Sequence, residues 1–247
     1  MSLKNILPRV IAHRGLSSLA PENTYAAIEL AAKKGVKWIE IDINISADGI
    51  PYLHHDDKLN RCTNGNGYLI KASSNDLDKL DAGSWFSDAY KGEPLMRFEK
   101  LFELVEEYNL GVNIEIKPTI GWELPTTQII CEYIKSNWPA KAPIIISSFS
   151  KLSLRYARKF MPHHNLGFLV VAIPDNWKAM INELNCQTFH CGWEFLNAEN
   201  IQAIHDSGYP ILTYTVDDTT IAKSLYSLNV DTLFSNRPVA LLSECTN

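Results

Sequence analysis

Two short stretches of the chain set acids between aliphatic residues: Trp38-Ile39-Glu40-Ile41-Asp42-Ile43 and Val112-Asn113-Ile114-Glu115-Ile116-Lys117. Side chains alternate across a strand, so Glu40 and Asp42 share one face, and Asn113, Glu115 and Lys117 share one face of the other run. Carboxylates among isoleucines are costly to bury unless they are paired or hold a cation. Each run is therefore either a buried salt-bridge network or part of a binding site. Two such runs with histidines nearby favour the site. Glu40, Asp42 and Glu115, with no cysteine partner, suit one hard divalent cation, Mg2+ or Ca2+. Arg14 and Lys117 supply fixed positive charge for an oxyanion, with phosphate the best match. His13 and His55 can exchange protons near neutral pH. A positive clamp, an acid for a leaving alkoxide and a base for a nucleophile are the parts that phosphodiester hydrolysis needs.

The elements that must carry these residues read as repeated βα units. Val10-Ile11-Ala12 is a strand ending at His13-Arg14-Gly15. Tyr25 to Lys34 has helical spacing, with Asn23 or Thr24 as N-cap and Gly35 past its end. The Glu40/Asp42 strand follows. Asp48-Gly49 then signals a hairpin. With these two as the central turn residues, the returning segment sets Asp42 opposite His55. Residues 57–97 are rich in Asn and Gly, carry Trp85, Phe86 and Tyr90, and have weak periodicity beyond a short helix near 74–80. This stretch reads as a small cap-like insertion after the second histidine.

Regular alternation resumes with helices near 98–108, 124–137, 151–160, 176–184, 198–207 and 219–228. Strands are expected near 112–117, 143–148, 166–171, 188–190, 211–216 and 232–234. Without the hairpin return strand, this gives eight strands, most followed by a helix, as a (β/α)8 TIM barrel requires. No GxGxxG follows the first strand to support a doubly wound sheet. The whole chain, 1–247, reads as one such domain. At the C-terminal strand ends stand His13, Arg14, Glu40, Asp42, Glu115, Lys117, His190, Tyr214 and Asp217, which is where barrels place reacting groups.

Several residues have a plainer reading. Alternation turns His54 away from the face of His55. His163 and His164 fall in a loop and read as solvated, and His205 falls on a helix surface. His190 ends a strand and is either a secondary site residue or packing. Glu22 can pair with a basic loop residue. The net charge of −5 argues against a nucleic-acid surface, without excluding an anionic substrate at a locally positive site. Five cysteines with no close pair argue against a disulfide frame or structural zinc. No apolar run approaches a membrane span, and Met1-Ser2-Leu3-Lys4 opens no leader pattern. The reading is a cytoplasmic protein without stable membrane insertion.

An ordered series of motifs resembles the glycerophosphodiester phosphodiesterases. It comprises His13-Arg14-Gly15, Pro21-Glu22-Asn23-Thr24, Glu40-Ile41-Asp42, Asp48-Gly49-Ile50-Pro51 and His55-Asp56-Asp57 with Leu59, Arg61 and Thr63-Asn64-Gly65. It continues with Asp81-Ala82-Gly83-Ser84-Trp85-Phe86, Asn113 to Pro118, Ser147-Ser148-Phe149, Thr215-Val216-Asp217 and Ser235-Asn236-Arg237-Pro238. The resemblance implies metal ligation by Glu40, Asp42 and Glu115, acid and base roles for His13 and His55, and phosphate contact by Arg14 and Lys117. It implies a small-molecule glycerophosphodiester, such as glycerophosphocholine or glycerophosphoethanolamine, cleaved to sn-glycerol 3-phosphate and an alcohol. Tyr214 stands where the family often has Trp, and is expected beside the glycerol. His54 and the stretch from Glu93 to Phe98 also depart from the family pattern. A lysophospholipase D-like or phosphoinositide-type diesterase, and a non-catalytic barrel that binds phosphate or glycan, are the alternatives.

Overall fold

The structure is a computed structural model describing residues 6–245, and the opening Met1–Lys4 stretch lies outside them. Eight parallel strands close into a barrel: β1 (Val10–His13), β2 (Trp38–Ile45), β4 (Gly111–Ile116), β5 (Ile144–Ser148), β6 (Asn165–Val170), β7 (Thr188–Gly192), β8 (Ile211–Tyr214) and β9 (Thr232–Ser235), with β1 paired to both β2 and β9. The ninth strand, β3 (Pro51–Leu53), is antiparallel to β2 and stands outside the barrel.

The helices are α1 (Tyr25–Lys33), α2 (Ser74–Leu77), α3 (Phe98–Tyr108), α4 (Glu123–Asn137), α5 (Lys151–Phe160), α6 (Trp177–Leu184), α7 (Ala198–Asp206), α8 (Thr219–Ser227) and α9 (Pro238–Cys245). Thr24 caps α1 by accepting from the Ala27 amide, and Gly35 follows the helix end with a positive φ. α9 was not expected from the sequence; Pro238 opens it, the helical position at which a missing N–H costs nothing.

The alternation read from the sequence divides each strand between two cores. Outward-facing Ile39, Ile41, Ile43, Val112 and Ile114 join Ile28, Leu101 and Ile130 of the helices in the main apolar layer. Inward-facing Ile11, Trp38, Ile145, Leu212 and Phe234 form a separate plug inside the barrel. Trp38 is in register with Gly111, and a β-carbon at Gly111 would stand 2.2 Å from the indole. The glycine is the space the ring occupies. Above this plug, the same inward faces carry Glu40, Asp42, Asn113 and Glu115.

The β2–β3 hairpin differs from expectation by one residue. Ile43 pairs Leu53, Asn44 pairs Tyr52 and Ile45 pairs Pro51, and the His54 amide donates to the Asp42 carbonyl, so His54 rather than His55 stands opposite Asp42. The turn has three residues, Ala47 to Gly49, because Gly49 takes a left-handed φ of 80° and adds a position to the loop. The Ser46 amide donates to the Ile50 carbonyl, and the Ser46 hydroxyl accepts from the Ile50 amide and donates to Asp48, which fixes this longer turn.

The segment from 57 to 97 has its own small core of Leu59, Leu69, Leu77, Ala82 and Leu95 packed on Tyr52 of β3. Tyr90 donates to the Leu19 carbonyl, and the Glu93 carboxylate accepts from the Ala26 amide at the start of α1. Arg61 makes the strongest tie. It binds Glu22 of the β1 loop through both terminal nitrogens at 2.7 and 2.8 Å, and Asp56 through Nε and Nη2 at 2.8 and 2.9 Å.

Burial pushes the Glu22 carboxyl up, but hydrogen bonds from Arg61 and the charges of Arg14 and Arg61 outweigh it and hold the group down at about 2. A depressed carboxyl stabilises the fold above its unfolded value of 4.5, and that stabilisation disappears as pH falls through about 2. The urea midpoint of Glu22→Gln should therefore lie below that of the wild type at pH 7, and the gap should close between about pH 4.5 and 2. A gap independent of pH would overturn this account.

Candidate active site

The floor of the site follows from strand register. β1 sets His13 beside Glu40, and β2 and β4 set Glu40 beside Asn113 and Asp42 beside Glu115. One oxygen from each of Glu40, Asp42 and Glu115 lies within 4.8 Å of the others, and the three residues are 3%, 1% and 9% exposed. The β1 loop then turns sharply over them. Arg14 takes a φ of 58° and Gly15 one of 80°, and a β-carbon on Gly15 would meet the Ala27 backbone at 2.7 Å. Only glycine lets the loop lie this close to α1. The turn aims the Arg14 amide at Glu40 Oε2, 3.0 Å away, and brings Arg14 Nε to 3.3 Å from Asp42 Oδ2.

Asn23, also at positive φ, holds Asp42 from the other side. Its Nδ2 donates to Asp42 Oδ2 at 2.9 Å and its Oδ1 accepts from the Asp42 amide at 3.1 Å. Lys117 Nζ donates to Glu115 Oε1 at 3.0 Å and lies 3.3 Å from His55 Nε2. His55 reaches this place from just beyond β3, with Nδ1 against Asp56 Oδ1 at 2.7 Å. His13 comes from the end of β1, with Nδ1 2.8 Å from Asn236 Oδ1 and Nε2 3.9 Å from Glu40 Oε2. His13, Arg14, Glu40, Asp42, His55, Glu115 and Lys117 are thus assembled in one place.

The electrostatics are uneven. Burial first, and then the neighbouring Asp42, push Glu115 up to about 7. Burial with Asp42 and Glu115 raises Glu40 well above the carboxylate range. Asp42 is held below its usual value: burial opposes this, but Arg14, His55 and Lys117 outweigh it. Glu40 Oε1 has no hydrogen-bond partner among the described residues. A buried carboxylate oxygen without a donor, in an all-oxygen cluster, fits a hard divalent cation. Burial, then Arg14, lower His13 to about 4, and burial likewise lowers His55.

Two chambers open off this floor. The smaller, about 150 Å³, is lined by His13, Arg14, Leu169, Tyr214 and Phe234. The larger, about 580 Å³, is lined by Asp57, Lys117, Ile120, Glu123 and Ser150. They share His55, Glu115 and Phe149. Tyr214 faces the smaller chamber with its ring edge-on to Phe149, while its hydroxyl donates to the Val170 carbonyl at 2.6 Å.

The remaining histidines lie elsewhere. His190 is fully buried in the barrel against Phe234, with Nε2 2.7 Å from the Thr188 hydroxyl, and lines neither chamber. Its position two residues before the end of β7 keeps it below the rim. His54 is turned away and meets the Lys58 carbonyl. His205 is not a free surface residue, since it pairs with Asp231 at 2.8 Å.

The sequence reading gave Arg61 and Asn236 no role and considered Asn23 only as an N-cap, a place that Thr24 takes. Each lay in a quoted motif, yet each acts through a partner that only folding supplies.

The chain matches the model of the glycerophosphoryl diester phosphodiesterase family over residues 13–240. It is 32% identical over 239 residues to the glycerophosphodiester phosphodiesterase of Caldanaerobacter subterraneus subsp. tengcongensis, covering 95% of this chain and 96% of that relative. A Bacillus subtilis glycerophosphodiester phosphodiesterase is 31% identical over 243 residues, covering 92% of this chain and 83% of its own. Among solved structures, an Oleispira antarctica phosphodiesterase in complex with the product sn-glycerol-3-phosphate superposes with a TM-score of 0.96 at 37% identity, covering 98% of both chains. A match of this extent, with the acid floor in register beneath the two histidines, makes the chain a member of the glycerophosphodiester phosphodiesterase family.

Proposed function

We propose that the protein hydrolyses glycerophosphodiesters, such as glycerophosphocholine and glycerophosphoethanolamine, to sn-glycerol 3-phosphate and an alcohol. The observation that carries this reading is the convergence of His13, Arg14, His55 and Lys117 on the Glu40, Asp42 and Glu115 floor, where two chambers meet. A diester has two arms, and the junction leaves one chamber for each. The glycerol arm fits the smaller chamber beside the Tyr214 ring, and the alcohol arm fits the larger. The complex of the Oleispira relative with sn-glycerol-3-phosphate supports this product.

Glu40, Asp42 and Glu115 would hold one divalent cation, Mg2+ or Ca2+, which would supply Lewis-acid charge at a phosphoryl oxygen. Arg14 and Lys117 flank the same position and stabilise the charge that builds on the phosphate oxygens. One of His13 and His55 takes the proton from the nucleophile, the glycerol 2-hydroxyl or water, and the other gives a proton to the leaving oxygen. The segment from 57 to 97 acts as a cap that carries Arg61 to the edge of the site. Among the described residues, no helix is long and apolar enough to cross a membrane, and Cys62, Cys131, Cys186 and Cys191 are buried free thiols. Unpaired thiols suit a reducing, cytoplasmic setting.

A second reading, hydrolysis of lysophospholipids by the same groups, is favoured by one observation. Ile120, on the wall of the larger chamber, is 92% exposed, and Trp122 and Leu124 beside it are 43% exposed. A free glycerophosphodiester leaves these surfaces in water, whereas an acyl chain would cover them. Turnover of glycerophosphocholine at least tenfold above that of lysophosphatidylcholine supports the first reading, and the reverse order supports the second.

Replacing His13 or His55 by Ala should lower glycerophosphocholine hydrolysis by about 10²–10⁴-fold, the usual contribution of an acid or base. Activity within tenfold of wild type would reject the assignment. Dialysis against EDTA should abolish turnover, and one added divalent ion should restore it. The same ion should raise the melting temperature, because at 100 times its Kd a ligand stabilises the folded state by about 2.7 kcal/mol. A chelated protein with full activity and an unchanged melting temperature would exclude the metal site.

A further inference from the structure

Asp217 and Asn236 stand just beyond β8 and β9, and neither lines the chambers. Together they are built around His13. Asp217 accepts three hydrogen bonds: Oδ1 from the Asn236 amide at 2.7 Å and from the Ser235 hydroxyl at 2.9 Å, and Oδ2 from Asn236 Nδ2 at 2.8 Å. A carboxylate can only accept, so the Asn236 side chain must turn its NH2 toward Asp217. The reversed amide would set two oxygens against each other at that distance. Asn236 Oδ1 is therefore aimed the other way, 2.8 Å from His13 Nδ1 and 2.8 Å from the Ser17 hydroxyl. An amide oxygen cannot donate, so the neutral imidazole must carry its proton on Nδ1. Nε2 is left bare on the side of the acid floor, 3.9 Å from Glu40 Oε2. The Ser17 hydroxyl, also 2.8 Å from the His13 carbonyl, braces the same group from the backbone side.

We propose that Asn236, oriented by Asp217, is a positioning residue that fixes the tautomer of His13 and presents its Nε2 to the reacting groups. This rests on the reading of His13 as an acid or base. It adds the mechanism by which one of two equivalent-looking nitrogens is chosen. His55 is backed differently, by the Asp56 carboxylate, so the two histidines are held by partners of different charge.

The direct test is long-range ¹⁵N–¹H correlation NMR of the Mg2+-loaded, ¹⁵N-labelled protein, with the His13 signals identified by their loss in His13→Gln. A pyrrole-type Nδ1 and a pyridine-type Nε2 are expected; a proton on Nε2 would overturn the proposal. In Asp217→Asn the orienting carboxylate is gone, and the other tautomer should appear. Asn236→Leu should lower kcat by about 10- to 100-fold with KM within about twofold, and Asn236→Asp combined with Asp217→Asn, which swaps carboxylate and amide and keeps an acceptor facing His13 Nδ1, should recover most of that loss. An unchanged kcat in folded Asn236→Leu, or a loss confined to KM, refutes the positioning role. Wild-type activity in His13→Ala would instead refute the catalytic reading, whatever the tautomer. If the substituted proteins fail to fold, the wild-type spectrum decides alone.

Discussion

The arrangement turns on three carboxylates that the sheet register forces together. Two unit charges 4.8 Å apart repel by about 3 kcal/mol at an effective dielectric constant of about 20. The chain cannot draw their backbones apart, because pairing between β2 and β4 fixes the register of Glu40, Asp42 and Glu115. The barrel holds them there because its two apolar layers stabilise the strands independently of the acids. The positive groups around the floor then read as responses to one local excess of negative charge. Arg14 approaches Asp42, Lys117 approaches Glu115, and Glu40 receives a backbone amide but keeps one oxygen without a donor among the described residues. That incomplete neutralisation distinguishes the floor from a structural ion-pair network, in which each buried charge would have its partner.

From the floor, charge pairing runs outward and ties loops that are distant in sequence. Arg14 binds Glu22, Glu22 binds Arg61, Arg61 binds Asp56, and Asp56 holds the imidazole of His55. The β1 loop and the segment after β3 are thereby locked to each other across the mouth. Such a chain costs side-chain entropy at each link, but most links share a residue, so each added pair orders only one new side chain. The forked guanidinium of Arg61 suits this place better than a lysine would, since it meets two carboxylates bidentately.

How much of this was legible in the sequence depends on range. Alternation of acids and isoleucines in β2 and β4 is a local pattern, and it located both the barrel strands and the buried carboxylate cluster. The end of each strand located His13, Arg14 and Lys117 for the same reason. The hairpin register was less accessible, because it depended on whether Gly49 served as the second of two turn residues or the third of three, and the dipeptide Asp48-Gly49 is compatible with both. His190 could not be placed because a two-residue difference along β7 separates the barrel interior from its rim. Asn236 and Arg61 were beyond reach for a further reason. The bonds from His13 to Asn236 and from Glu22 to Arg61 join residues 223 and 39 positions apart. No periodicity encodes such contacts; barrel closure between β1 and β9 creates the first of them.

Closure also explains why the site can work on an anion despite a net charge of −5. The plug of Ile11, Trp38, Ile145, Leu212 and Phe234 excludes water from below the floor, and Phe149, Leu169 and Tyr214 line the chamber above it. Charges between these apolar walls are screened less than charges on the outer surface. The acids and lysines spread over the helices set the net sign but lie largely in high dielectric. A phosphate entering the chambers therefore responds mainly to Arg14, Lys117 and the carboxylate floor beside them. The same walls make the direction of each donor and acceptor consequential, since a flipped tautomer would turn the bare nitrogen of His13 away from the acid floor. In this setting, the orientation of His13 by Asn236 belongs to the chemistry as much as to the fold.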